Sequence, residues 1–244
     1  MAGYGQLAQG YDLFTQNVPY DEIAEYYDSI ITEFAPRGLL ADAGCGTGNL
    51  TQRMAALGYD IIAADASPEM LTIAVSKPHE GIQYICQSMT ELDLYGEADA
   101  MISTLDSVNH LADKREISRF FRAAAQNIRR GGVLAFDVNT PYKHENILGG
   151  NTFVYDAEGA FCAWQNTFDP SDCGVNIELD LFFENDDGTW ERSYESFREI
   201  ALPQQEIRTM LEQAGFEVLR VYEYLTRENP TEKSEKLTFA ARKI

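Results

Sequence analysis

Cysteine is sparse in this 244-residue chain, with four residues at positions 45, 86, 162 and 173. No two of them have Cys-x-x-Cys spacing and there are only three histidines, so a structural zinc site lacks its ligand pattern and no metal is expected. A chain of this length needs no disulfides to hold a core. The cysteines are expected to be reduced, as in a cytoplasmic protein. No apolar run approaches the roughly 20 residues that cross a bilayer. Residues 1–20 lack a basic start and a continuous apolar stretch, so no signal peptide is expected. Basic residues are scarce as well: 19 Lys and Arg stand against 39 Asp and Glu, for a net charge of −20. Such a surface repels phosphate backbones and anionic membranes, which disfavours nucleic acid and membrane as partners. The pairs Lys114-Arg115 and Arg129-Arg130 read as the solvated face of one helix.

What the chain does have is alternation. Residues 4–16 and 20–35 carry aromatics from Tyr4 to Phe34. Ile23, Tyr26, Tyr27, Ile30, Ile31 and Phe34 recur at helical spacing until Pro36 and Gly38, which predicts two N-terminal helices. Strands follow at 38–41, 61–64, 82–86, 98–103 and 133–138. Between them lie helices at 49–57, from Pro68 behind the N-cap Ser67, and at 114–130. That order implies a parallel sheet with helices on both faces. After Pro141 the pattern changes to strand-like segments at 153–155, 161–168, 175–184 and 189–200, with a strong hairpin cue at Asp187-Gly188. An antiparallel insertion of about 50 residues is long enough to be a functional cover. A helix at 203–214 and strands at 216–224 and 236–242 close the pattern, giving a seven-stranded main sheet.

The first strand runs into Asp42-Ala43-Gly44-Cys45-Gly46-Thr47-Gly48. Glycines at alternate positions let a ligand approach the backbone at a helix N-terminus. The dinucleotide fingerprint needs its third glycine one position later, where Asn49 stands, and no Gly-Lys-Ser/Thr follows as in a P-loop. Asp42 can accept from an ammonium but would repel a pyrophosphate. Asp65 ends the second strand, where a carboxylate can take both hydroxyls of a ribose. A ligand with a ribose and an amino-acid ammonium but no phosphate fits both acids, and S-adenosylmethionine is such a ligand.

Asp42-Ala-Gly-Cys-Gly-Thr-Gly, Asp65-Ala-Ser-Pro-Glu-Met-Leu and Arg130-Gly-Gly-Val-Leu-Ala-Phe-Asp resemble the blocks of class I S-adenosylmethionine-dependent methyltransferases. Tyr11-Asp12 and Val18-Pro19-Tyr20-Asp21, with the insertion, are similar to a bacterial small-molecule-type subgroup. The resemblance implies a Rossmann-like, doubly wound, mostly parallel α/β sheet with N-terminal helices and an antiparallel β insertion after the fifth strand. It also implies roles. Asp42, Gly44, Cys45, Gly46 and Gly48 would hold the methionine end of the cofactor. Asp65 would hold the ribose, with Ala66 and Met70 beside the adenine. Gln87, Ser88 and Met89 would follow as adenine contacts, although Ser88 stands where the family often has an acid. Ser103 and Thr104 lie where the family passes the reactive end, and Tyr11 and Tyr20 would close the pocket.

A sulfonium carries an activated methyl, so the protein's task is to align an acceptor and remove water. Ser107-Val-Asn-His110-Leu is similar to a segment bordering the acceptor amine in amino-sugar N-methyltransferases. His110 is the only histidine near this site by sequence, and it would orient the amine or take its proton. Asp106, Asp137 and Asp156 match no metal-ligand spacing. The expected activity is methylation of a small molecule, at nitrogen before oxygen or carbon. Methylation of RNA or protein, or cofactor binding without catalysis, are the rival readings. Residues 1–140 with 201–244 would form the cofactor domain and 141–200 the cover of the acceptor site, in a monomer or homodimer.

Overall fold

A computed structural model of the protein describes residues 5–78 and 80–244. Tyr4, read above as part of the first helix, lies outside the described residues. Two helices, α1 (Gly5–Phe14) and α2 (Tyr20–Phe34), precede β1 (Leu39–Ala43), α3 (Asn49–Ala56), β2 (Asp60–Asp65), α4 (Pro68–Ser76) and β3 (Ile82–Cys86). Then come β4 (Ala98–Ser103), α5 (Lys114–Asn127) and β5 (Ile128–Asn139). A short helix α6 (Pro141–Lys143) leads into β6 (Thr152–Ala157), β7 (Ala160–Asp169), β8 (Gly174–Glu184) and β9 (Trp190–Ile200). The last elements are α7 (Gln204–Gln213), β10 (Phe216–Glu223) and β11 (Lys236–Lys243).

The main sheet has the order β10-β11-β5-β4-β1-β2-β3. Strands β1 to β5 run parallel, and β11 is antiparallel to both of its neighbours. The seven-stranded, mostly parallel sheet expected from the sequence is therefore present, and a separate antiparallel sheet, β6-β7-β8-β9, follows the fifth strand. Both faces of the main sheet are buried, which is why its central strands read as apolar runs rather than alternations. Leu134, Phe136 and Val138 pack with Phe120 and Phe121 of α5 and Leu211 of α7. Val133 and Ala135 face the other way, toward Tyr27 and Ile31 of α2 and Met54 of α3. The inner face of the second sheet (Cys162, Val175, Ile177, Leu179 and Leu181) packs with Leu7 of α1.

One helix boundary departs from expectation. Helix α5 was expected through Arg130 but stops at Asn127. The buried Asn127 amide donates to the Leu92 carbonyl, and its oxygen accepts from the Leu94 N–H. Ile128 turns extended and pairs with Ala98 of β4. Arg129 and Arg130 thus lie on β5 at an irregularity, not on a helix face, and Arg129 binds Asp99 at 2.6 Å. Among the described residues no helix is long and apolar enough to cross a membrane.

The chain runs from β1 to β2 and β3 on one side and returns to β4 and β5 on the other, so strand order reverses between β1 and β4. The carboxyl ends of strands at such a reversal form the ligand crevice of open α/β sheets.

Candidate active site

The glycine loop leaves β1 at this reversal. Gly44, Gly46 and Gly48 have φ of 83°, 55° and 77°, a region that costs a side chain about 1–2 kcal/mol. The N–H groups of Gly44 and Cys45 donate to the Ala64 carbonyl, and that of Gly48 to Cys45. The Gly46 N–H donates to Asp65 Oδ2 at 2.8 Å. These donors are thus consumed inside the loop and are not presented to an anion, in keeping with a phosphate-free ligand.

Asp65 is held twice, because Oδ1 also accepts from the Ser67 N–H at 2.8 Å. Each oxygen keeps a second lone pair for a hydroxyl donor. Asp42 is buried under the loop, and its Oδ2 accepts from Thr51 Oγ1 at 2.6 Å. Burial pushes its carboxyl up to about 7, against the pull of the Thr51 bond and with a further push from the Asp65 charge. Burial also drives the Cys45 thiol well above its ordinary range, so it is no nucleophile at neutral pH.

The remaining residues read from the sequence surround this loop in part. Met70 is buried, while Ala66 is exposed. A Cβ placed on Gly44 would come within 2.9 Å of Met89 Cε and of Ser107, which puts both against the loop. Ser88 caps the turn at Met89–Glu91, and the Gln87 side chain accepts from the Asp93 N–H, so both polar groups have local partners. Ser103 and Thr104 are buried at the end of β4. Tyr11 is held above its ordinary pKa by burial first, then by Tyr20 and Asp106, with a smaller push from Asp65.

Three observations test whether this crevice suits the cofactor. Among the described residues, the buried Tyr20 hydroxyl and Ser103 Oγ have no hydrogen-bond partner. A Cβ on Gly46 would meet nothing within 4 Å, so the backbone there borders open space. The side chains offered are two carboxylates that accept, without a basic residue in the loop, which matches the donors of an ammonium and a diol. The residues fit.

Helix α1 closes over the loop from the other sheet. Asp12 accepts from Thr47 Oγ1 at 2.6 Å and Asn49 Nδ2 at 2.8 Å, and pairs with Lys77 at 2.6 Å. At its other end, the Leu7 N–H donates to Glu195 Oε1 of β9 at 2.9 Å.

Beyond β4 the backbone is strained: Leu105 and Asp106 have φ of 55° and 58°. Asp137, fully buried at the end of β5, accepts from both of their N–H groups, at 2.9 and 2.7 Å, and from the Tyr27 hydroxyl at 2.8 Å. Successive N–H groups in such a conformation form a nest for one carboxylate, which offsets the strain. Lys236 of β11 lies 3.0 Å from Asp106 and 3.3 Å from Asp137. Burial opposes its charge, yet the two acids outweigh burial and hold the ammonium above its ordinary pKa. Burial likewise pushes the Asp106 carboxyl up, but Lys236, Lys143 and His110 outweigh it and leave the group low.

His110 ends the turn that follows, with Nε2 3.6 Å from Glu199 Oε1 and its ring 5.1 Å from that of Phe197. Asp106, His110 and Glu199 bring ligand-type atoms within 4.8 Å of one another. The Lys236 ammonium pairs with Asp106 and would repel a dication about twice as strongly as a singly charged organic cation. Asp156, weighed with Asp106 and Asp137 in the sequence, lies on β6 beside an outer groove with Leu13 and Phe14.

Sequence reasoning missed Glu199, Asn139, His144 and Lys236. His110 is not alone: His144 Nε2 lies 3.4 Å from the other oxygen of Glu199. One signal was available for Glu199. If Phe197 points inward on β9, so do Glu195 and Glu199, and an acid on a buried strand face is unusual.

Residues 40–132 match the family described as a methyltransferase domain. A protein named as a methyltransferase in Geobacillus sp. (strain WCH70) is 31% identical over 98% of this chain and 99% of its own length. The crystal structure of an S-adenosylmethionine-dependent methyltransferase from Clostridium acetobutylicum has a TM-score of 0.85, with 26% identity and 98% of each chain covered. A sugar N-methyltransferase from Streptoalloteichus sp. shares the fold at a TM-score of 0.77, with 22% identity and coverage of 96% of this chain and 93% of that one. The chain belongs to the class I S-adenosylmethionine-dependent methyltransferases. It is an enzyme whose methyl donor is S-adenosylmethionine.

Proposed function

We propose that the chain methylates an amine nitrogen of a small molecule. The observation that carries this reading is the convergence of Asp106 and Glu199 on His110, at the strand ends beside the glycine loop. The acids around this point, Asp106, Asp137, Glu199 and Asp65, outnumber the ammonium groups of Lys236 and Lys143, and that excess favours an acceptor that arrives as a cation, as an amine does at neutral pH. His110 then takes a proton from the acceptor's nitrogen, which keeps the lone pair that attacks. The bound cofactor supplies a methyl group already activated for in-line displacement. Asp42 and the loop backbone bind its methionine end and Asp65 its ribose, with Tyr11 and Tyr20 closing over it. Residues 141–200 form the acceptor's cover and exclude water with α1. The sugar N-methyltransferase named above acts on nitrogen, which supports the reading at the level of its fold alone.

The test is a panel of small primary and secondary amines, each paired with its hydroxyl analogue, assayed for S-adenosylhomocysteine release. Turnover with amines and none with the hydroxyl partners is expected. Turnover restricted to hydroxyl compounds would reject the nitrogen assignment.

A further inference from the structure

Glu199 is 2% exposed and faces a histidine on each side. Its Oε1 faces His110, and its Oε2 accepts from Asn139 Nδ2 at 3.0 Å with His144 Nε2 at 3.4 Å. His144 is fully buried, in the turn after α6. Its Nδ1 lies 2.8 Å from the Cys173 carbonyl oxygen. A carbonyl can only accept, so Nδ1 carries a proton. In a neutral ring Nε2 would then turn a lone pair toward a carboxylate oxygen. Nε2 lies 3.4 Å from Glu199 Oε2, and a proton shared between them would tie the ring to the carboxylate.

Asn139 fixes the geometry from the other side. Its single Nδ2 donates to both Asp106 Oδ2 and Glu199 Oε2, at 3.0 Å each, while its Oδ1 accepts from Lys143. Asn139 is itself held through its N–H by Asn109 Oδ1, and Asn109 Nδ2 donates to the Ile200 carbonyl beside Glu199. The carboxylate thus cannot rotate without breaking bonds that tie β5, β9 and the turn carrying His110. The charged groups around His110 are Glu199 from β9, Asp106 from its own segment and Asp65 from β2, with Lys236 of β11 behind Asp106.

We infer that Glu199 is the positioning residue of His110, and that His144 and Asn139 hold Glu199 in place for it. The inference rests on the reading that His110 takes the acceptor's proton. A fixed carboxylate opposite Nε2 selects one tautomer and one orientation of the ring, as a buried acid does for a catalytic histidine elsewhere. In the transfer, one N–H bond of the acceptor ammonium breaks, its proton goes to the His110 imidazole, and nitrogen keeps the electron pair.

Side-chain 15N–1H correlation spectra of the full chain, saturated with S-adenosylhomocysteine, test this without an acceptor. The outcome therefore stands apart from the amine panel. His144 is expected to show a protonated Nδ1. A His144 Nε2 signal unchanged in Glu199→Gln would overturn the inference. The neutral His110 ring is expected mainly as the Nε2–H tautomer. In Glu199→Gln that preference should relax by about fivefold, the effect of losing a charge-assisted contact. Glu199→Asp should restore part of it. A His110 tautomer ratio unchanged in Glu199→Gln, with S-adenosylhomocysteine still bound, would equally overturn it.

Discussion

The two ends of the crevice are built in opposite ways. On the cofactor side the parts are neighbours in the chain: Asp42 and the loop lie within seven residues, and Asp65 follows one strand later. Most of their bonds use a backbone N–H, and they stay within the loop and the end of the adjacent β2. On the side around His110, which we propose receives the acceptor, Tyr27, Asp106, Asn109, Asp137, Asn139, His144, Glu199 and Lys236 come from separate stretches and meet only in the folded state. A local motif can be read from sequence and altered without upsetting the fold. A buried polar network assembled over long range is a high-stakes structure, stable only when every member is satisfied.

Three measurements would break or sharpen that contrast. Replacing Asp65 with Ala removes the ribose acceptor and frees the Gly46 and Ser67 N–H groups. Affinity for S-adenosylhomocysteine, measured by calorimetry, should fall at least about a hundredfold, while the unliganded protein loses only the roughly 1–3 kcal/mol of N–H groups left without their acceptor. Retained affinity would remove the cofactor side's dependence on this acid.

Lys236→Met should act the other way. The side chains of Lys236 and Asp137 are 12% and 0% exposed, so the change leaves buried carboxylates without their counter-ion. Denaturant unfolding near pH 7 should show a loss of about 3–5 kcal/mol. Asp106 is held low by Lys236 in the native protein, so its contribution is present above the unfolded carboxyl pKa and fades as pH falls. In the variant, acid protonates the orphaned carboxylates, and the deficit should shrink between about pH 7 and about pH 5. A deficit that grew in acid would contradict the pairing.

The smallest effect concerns Asp42. Its carboxyl is raised to about 7, so ionising it costs the unliganded fold stability as pH climbs from the ordinary carboxyl range through about 7. A ligand ammonium favours the ionised form. Affinity for S-adenosylhomocysteine should therefore rise with pH below about 7, by up to about 1.4 kcal/mol per unit, with proton release on binding. Asp42→Asn should flatten that slope, and a slope left intact in the variant would assign it to another group.

This contrast also explains what the sequence made legible. The seven-stranded sheet follows from apolar runs alternating with helical periods, and the second sheet from period-two segments with hairpin cues at Asp187-Gly188. The loop and its two acids are short-range patterns whose chemistry is written in their spacing. Glu199 was hidden because an acid on β9 looks like a solvated residue until the strand's inner face is known. Lys236 had no local signal at all, since its partners lie 130 and 99 positions away. The end of α5 was misplaced because the Asn127 amide binds the Leu92–Leu94 loop, a contact that helix propensity does not contain.

Strand β11 enters the sheet between β10 and β5, and it brings Lys236 to acids that all precede it in the chain. During synthesis Asp106, Asp137 and Glu199 leave the ribosome first, and the ammonium that balances two of them leaves last. Until β11 pairs with β5, the strained Leu105-Asp106 turn would have to bury Asp106 and Asp137 without the ammonium that pairs with both. The cluster around His110 is thus complete only once residue 236 has been added, whereas the glycine loop can form as soon as β1 and β2 have paired.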